Sequence, residues 1–123
     1  MVIVQLNPPI FVIEGLDVTV YHSIEDTLRA LEPVDVRNNE YSVYDSEGHR
    51  LELGVARVPF WGFEKVVLDD VESEPKHAPE LASQLASFLA DSGVDPTWLA
   101  AASLSQLEKK TLELKAGESR VEE

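Results

Sequence analysis

The chain has no cysteine and few bases: 10 Lys+Arg stand against 23 Asp+Glu in 123 residues, a formal charge of −13. Without thiols there are no disulfides, thiolate zinc sites, Fe–S clusters or thiol nucleophiles. Glycine is scarce as well. The six glycines are well separated, so there is no GxGxxG, no Walker-type phosphate loop and no GxSxG elbow. The three histidines, His22, His49 and His77, stand at no metal-ligand spacing such as HExxH. Ser23 neighbours His22, but adjacent side chains point in different directions, and a capping role suits the serine better than nucleophilic attack. No catalytic residue, metal or cofactor is therefore expected. An enzyme built on His22 or His49 with nearby acids would need a deep pocket holding the histidine.

The N-terminal Met1-Val2-Ile3-Val4-Gln5-Leu6 lacks a basic n-region, and Asn7-Pro8-Pro9 breaks the apolar run well short of a bilayer span. The expectation is a cytoplasmic protein with no membrane partner. What is present is acid, spread over both halves, ten residues before position 61 and thirteen after it. Such a surface repels nucleic-acid phosphates and anionic headgroups, because both kinds of binding draw on Lys/Arg, and it favours cationic partners. Hydrophobic residues make up 44% of the chain, which is enough for a packed core and unlike a disordered acidic tail.

The first half reads as strands. Ile10–Ile13 and Asp17–Tyr21 form a hairpin over Gly15-Leu16, with glycine at the first central position as a type II′ turn requires. Ser23 caps a helix whose first turn carries Glu25 and Asp26 and whose apolar face is Ile24, Thr27, Leu28 and Leu31, ending before Pro33. Val34 to Val36 is read as a link. Tyr41–Tyr44 and His49–Val58 form a second hairpin, with Gly54 marking a bulge or bend. Lys65–Leu68 is a fifth strand, and the acidic stretch from Asp69 to Pro79 is a linker. The second half reads as helices: Glu80–Asp91 stopped by Gly93, a short one opened by Asp95-Pro96, and a last one through Leu104, Leu107, Thr111 and Leu114 to Lys115. The fold class is α+β, with an antiparallel sheet of about five strands, one helix after the first hairpin and two to three C-terminal helices. Residues 1–116 make one domain and 117–123 a frayed tail.

Two stretches are interaction candidates. Asp69, Asp70, Glu72 and Glu74 place four acids in six positions, a strip suited to steering a Lys/Arg-rich partner or simply to solvating a linker. Phe60-Trp61-Gly62-Phe63 is the densest aromatic cluster. Burial in the core is the expected fate of a chain's few large residues, while exposure would make Trp61 and Phe63 interface anchors.

The stretch from Asp17 to Leu53, with Asp17-Val18-Thr19-Val20-Tyr21-His22-Ser23-Ile24-Glu25-Asp26, Leu31-Glu32-Pro33-Val34-Asp35-Val36 and Tyr41-Ser42-Val43-Tyr44-Asp45-Ser46-Glu47-Gly48, resembles small acidic bacterial immunity proteins of polymorphic or contact-dependent toxin systems. The resemblance implies an inhibitor that binds a cognate basic toxin domain and occludes its active site; it assigns no residue a role. The functional expectation is thus a non-catalytic binding protein for a basic toxin domain. The alternative is a structural or regulatory subunit that forms a homodimer through its C-terminal helices, at Leu104, Leu107 and Leu114.

Overall fold

The computed structural model describes residues 6–60 and 62–121, with side-chain surroundings through residue 117. Five antiparallel strands, β1 (Ile10–Glu14), β2 (Asp17–Tyr21), β3 (Ser42–Tyr44), β4 (Arg50–Arg57) and β5 (Glu64–Val71), form one sheet in the order β2-β1-β3-β4-β5. Helices α1 (Ile24–Ala30) and α2 (Pro33–Arg37) lie between β2 and β3 in sequence, and α3 (Ala78–Asp91), α4 (Pro96–Ala101) and α5 (Leu104–Val121) follow the sheet. The α+β expectation holds, with five helices among the described residues.

Successive side chains of a strand point to opposite faces, and both faces of β1 are apolar. Ile10 and Val12 enter one cluster with Leu31, Val43, Leu51 and Val66, flanked by Ile24, Leu28, Val36, Leu53 and Leu68. Phe11 and Ile13 enter a second with Val18, Tyr44, Leu81, Leu85, Phe88, Leu89 and Leu107. A strand buried on both sides accounts for the continuous run Ile10-Phe11-Val12-Ile13. The sheet therefore carries α1 and α2 on one face, while α3 and α5 cover the other over β2, β1 and β3. Helix α1 packs against both edge strands, β2 and β5, so the sheet curls about it.

Local chemistry explains the element ends. Gly15 has φ +62 while Leu16 does not take positive φ, as a type II′ turn demands. The Ser23 hydroxyl accepts from the Asp26 amide at 3.1 Å and caps α1. Asp95 does the same for α4 through the Thr97 amide at 3.0 Å. The link expected at Val34 to Val36 is instead helix α2, with Pro33 at its first turn; proline fixes a helical φ there and lacks only an amide that has no intrahelical partner anyway.

The acidic linker expected from Asp69 also needs correction. β5 runs on to Val71, so Asp69 and Asp70 belong to a strand. Pairing with β4 carries it past the acids, with an irregularity between Glu52 and Leu53 that leaves Asp69 unpaired while Glu52 faces Asp70. The bulge or bend expected at Gly54 thus lies between Glu52 and Leu53, with Asp69 as the extra residue, and Gly54 itself pairs regularly with Val67. Gly54 instead leaves room for the Asp69 carboxylate, an exposed side chain that would have to turn aside for a Cβ there. α5 continues through Gly117 to Val121, beyond the expected end at Lys115, since residues 118–121 are mostly tolerated in a helix.

Candidate docking surface

Strands β4 and β5 present different faces to different neighbours. Alternation sends Leu51, Leu53, Val66, Leu68 and Val71 into the cluster shared with α1 and α2. Glu52, Gly54, Ala56, Lys65, Val67 and Asp70 point the other way. Among the described residues the cluster under α3 and α5 takes none from either strand, so none of them covers this half of the sheet. Its floor is small and half-buried at Gly54, Ala56 and Val67, and Glu52, Lys65, Asp69 and Asp70 are exposed on it.

Three of these charges are negative and close together. Glu52 and Asp70 are directly opposite across the β4–β5 pair, and Asp69 lies over Gly54 beside them. Like charges facing each other across a ladder destabilise a sheet. Glu52 was absent from the sequence candidates because its partner is eighteen positions away; only the register brings the two together.

The four acids expected to act as one strip divide. Asp69, Asp70 and Glu74 are exposed, but Glu72 turns inward. Its carboxylate accepts from the Arg50 amide at 3.3 Å and the Lys76 amide at 3.0 Å, and meets His77 Nδ1 at 2.6 Å. Burial alone would push the Glu72 carboxyl up, yet the hydrogen bond from Arg50 and the His77 ring outweigh it and hold the group below the usual carboxylate range. Glu72 therefore fastens the end of β5 to the start of α3.

The loop joining β4 and β5 carries the aromatics. Phe60 is fully exposed and Phe63 is 55% exposed, which overturns the expectation of core burial; Trp61 lies outside the described residues. The tertiary reason is that the core is already filled by Phe11, Tyr44 and Phe88. Two exposed phenylalanines at a hairpin tip, next to an acidic half-sheet, have the composition of an interface: apolar anchors with charge around them.

The other sequence candidates have structural duties. Asp45 is wholly buried and accepts from the amides of Glu47 and His49 at 3.0 Å, from the Asn7 amide at 3.2 Å and from His49 Nδ1 at 2.9 Å. The Asp45–His49 pair thus locks the β3–β4 turn. Leu107 is buried against α3, and Leu104 and Leu114 pack on the same cluster. Among the exposed large apolar residues of α5 is Leu112.

A further acidic group was not visible in the sequence. Carboxylate oxygens of Glu14, Asp35 and Glu40 lie within 4.8 Å of one another, and the Tyr41 hydroxyl donates to Asp35 at 3.0 Å. The hydrogen bond with Asp35, and then its charge, raises the Glu40 carboxyl above its ordinary value. Burial, with Asp35 adding to it, pushes Tyr41 up to about 12. Hydrogen bonding within the group accounts for its persistence.

No helix among the described residues is long and apolar enough to cross a membrane. No protein-family model, curated protein or solved structure matches the chain.

Proposed function

We propose that the protein is a non-catalytic binding protein, an immunity-type inhibitor that docks a basic toxin domain and covers its active site. The observation that carries this reading is the β4–β5 half-sheet, which none of the described residues covers, where Glu52 and Asp70 face each other with Asp69 alongside. A like-charged pair that costs the free protein stability is repaid when a Lys/Arg-rich surface settles on it. Glu74 extends the field, and Phe63 with Phe60 supplies the apolar part of the contact. A stable complex buries about 1,200–2,000 Å² in total, so the acids steer and orient while the hairpin tip and neighbouring surface provide the area. The partner is a cytoplasmic protein of opposite charge; nucleic acid and membrane are not partners of this surface.

The test is to look for a basic toxin-like domain encoded beside this chain and to co-express the two; absence of any such neighbour counts against the inhibitor reading. Co-expression is expected to protect the cell and yield a complex whose toxin activity is blocked. The triple variant D69N/D70N/E74Q is expected to slow association about tenfold at low salt and to flatten its salt dependence. An association rate that the triple variant leaves unchanged overturns the docking face; absence of both complex and protection overturns the inhibitor reading.

A further inference from the structure

A second, unrelated cleft opens in the helical half. α4 and α5 both pack against α3, and the α3–α4 turn, α4 and α5 together line a space of about 710 Å³ that is open to solvent. That is within the range of small-molecule sites, about 300–1,000 Å³. One wall is Gln106, Lys109, Lys110 and Leu114, which lie on one stripe of α5 at helical spacing. The facing wall includes Val94 and Trp98.

Two bases stand side by side in this cleft. Acids outnumber bases by 23 to 10, and Arg29, Arg37, Arg50 and Lys115 all have acidic partners. Lys109 and Lys110, like Arg57, Lys65 and Lys76, make no ion pair among the described residues, but only these two share a cleft, which Glu113 of the same helix also lines. Asp95, at the rim, is held by the Thr97 amide as the cap of α4. The cleft thus offers two unpaired ammonium groups, an indole face at Trp98 that is 36% exposed, and a carboxylate at Glu113.

We infer that this cleft binds a phosphorylated nucleoside. Lys109 and Lys110 take the phosphate oxygens by charge-assisted hydrogen bonds. The base stacks on Trp98 over the apolar floor of Val94 and Leu114, and Glu113 accepts from sugar hydroxyls. The formal charge of −13 does not forbid this, because screening confines a mononucleotide to the field within roughly 8 Å. A polynucleotide would sample the acidic surface as a whole.

The test is a titration of the full chain carrying Trp61→Phe, so that Trp98 is the sole tryptophan, with adenosine diphosphate. Fluorescence is excited at the red edge of the indole band, away from adenine absorption. Saturable quenching that weakens as salt rises is expected, with pyrophosphate competing and adenosine binding less tightly. The variant K109Q/K110Q, on an exposed helix face and checked by its melting curve, is expected to weaken binding about tenfold or more. Three results overturn the inference: no saturable change at millimolar nucleotide, adenosine binding as tightly as the diphosphate, or affinity indifferent to both salt and the lysine variant. None of these depends on the toxin partner.

Discussion

The Glu108 carboxyl on α5 lies within the field of Asp45 in the β3–β4 turn. One Glu108 oxygen is buried without a hydrogen-bond partner, and burial, then the Asp45 charge, raises the Glu108 carboxyl to about 7. Asp45 is meanwhile committed to the His49 ring and the turn amides. Glu108 is therefore about half protonated at pH 7.

A pH dependence follows from that pair. A carboxyl whose folded value lies above its unfolded one binds more protons when folded, so its stabilising effect is complete below the unfolded value and is lost as pH rises through about 7. Stability is expected to fall between pH 5 and 8 by on the order of 1–2 kcal/mol, discounted for the partial exposure of the group. Glu108→Gln should flatten that dependence and be more stable than the parent at pH 8. Urea unfolding at several pH values measures both effects; a parallel fall in the variant would assign the dependence to another group.

Removing the partner tests the same pair from the other side. Asp45→Asn keeps the shape of the turn but weakens the acceptor that holds His49 Nδ1 and three amides. Breaking such a buried arrangement is expected to cost about 3 kcal/mol. It also removes the charge that raises Glu108, so the Asp45→Asn and Glu108→Gln effects should be non-additive in a double-mutant cycle at pH 8.

Gly48→Ala addresses how the turn meets α3. Gly48 has φ +95, and a Cβ there would stand 2.4 Å from the Ala78 Cα and 2.6 Å from its nitrogen. A backbone cannot swing aside as a long side chain can. A loss of about 2–4 kcal/mol is expected from strain and overpacking together, read as a drop in melting temperature. Gly62→Ala is the informative control, because its φ is +73 but nothing stands within 4 Å of the added carbon; a loss as large as that of Gly48→Ala would show that the Ala78 contact is not the cause.

The acidic half-sheet predicts that stability and binding move in opposite directions. Asp70→Lys replaces the like-charged pair with Glu52 by an attractive one, and should stabilise the isolated protein by about 0.2–1 kcal/mol. The same change should slow association with a basic partner. Thermal melts and association kinetics on one preparation check the two halves; a variant that gains stability without losing association rate would remove Asp70 from the interface.

The hairpin tip behaves differently. Phe60→Ser and Phe63→Ser remove exposed rings, so folding stability should change by no more than about 0.5 kcal/mol. Dissociation of the partner complex should accelerate about tenfold or more if the rings are anchors. Stability lost in step with affinity would indicate that the rings support the fold instead.

Much of the architecture was legible because its causes are local. Caps at Ser23 and Asp95, the glycine turn at Gly15, the proline after Leu31 and the apolar spacing of Leu81, Leu85, Phe88 and Leu89 act within one or two turns of chain. α2 was missed because Pro33 was read only as a terminator, although proline opens helices as readily as it ends them. β5 was cut short at Leu68 because two adjacent aspartates oppose strand propensity. Pairing with an eight-residue β4 overrode that preference.

The sequence by itself determined the −13 charge, the absence of thiol chemistry and the succession along the chain of every element but α2, since each is set by composition or by neighbours along the chain. Tertiary structure alone decided which acids act together. It drew Glu72 inward to Arg50 and His77, set Glu52 against Asp70, and left the phenylalanines of the β4–β5 loop in solvent once other aromatics had filled the core. Those outcomes depend on strand register and on which half of the sheet the helices cover. Both arise from packing among residues far apart in sequence, for which periodicity within a single segment carries no signal.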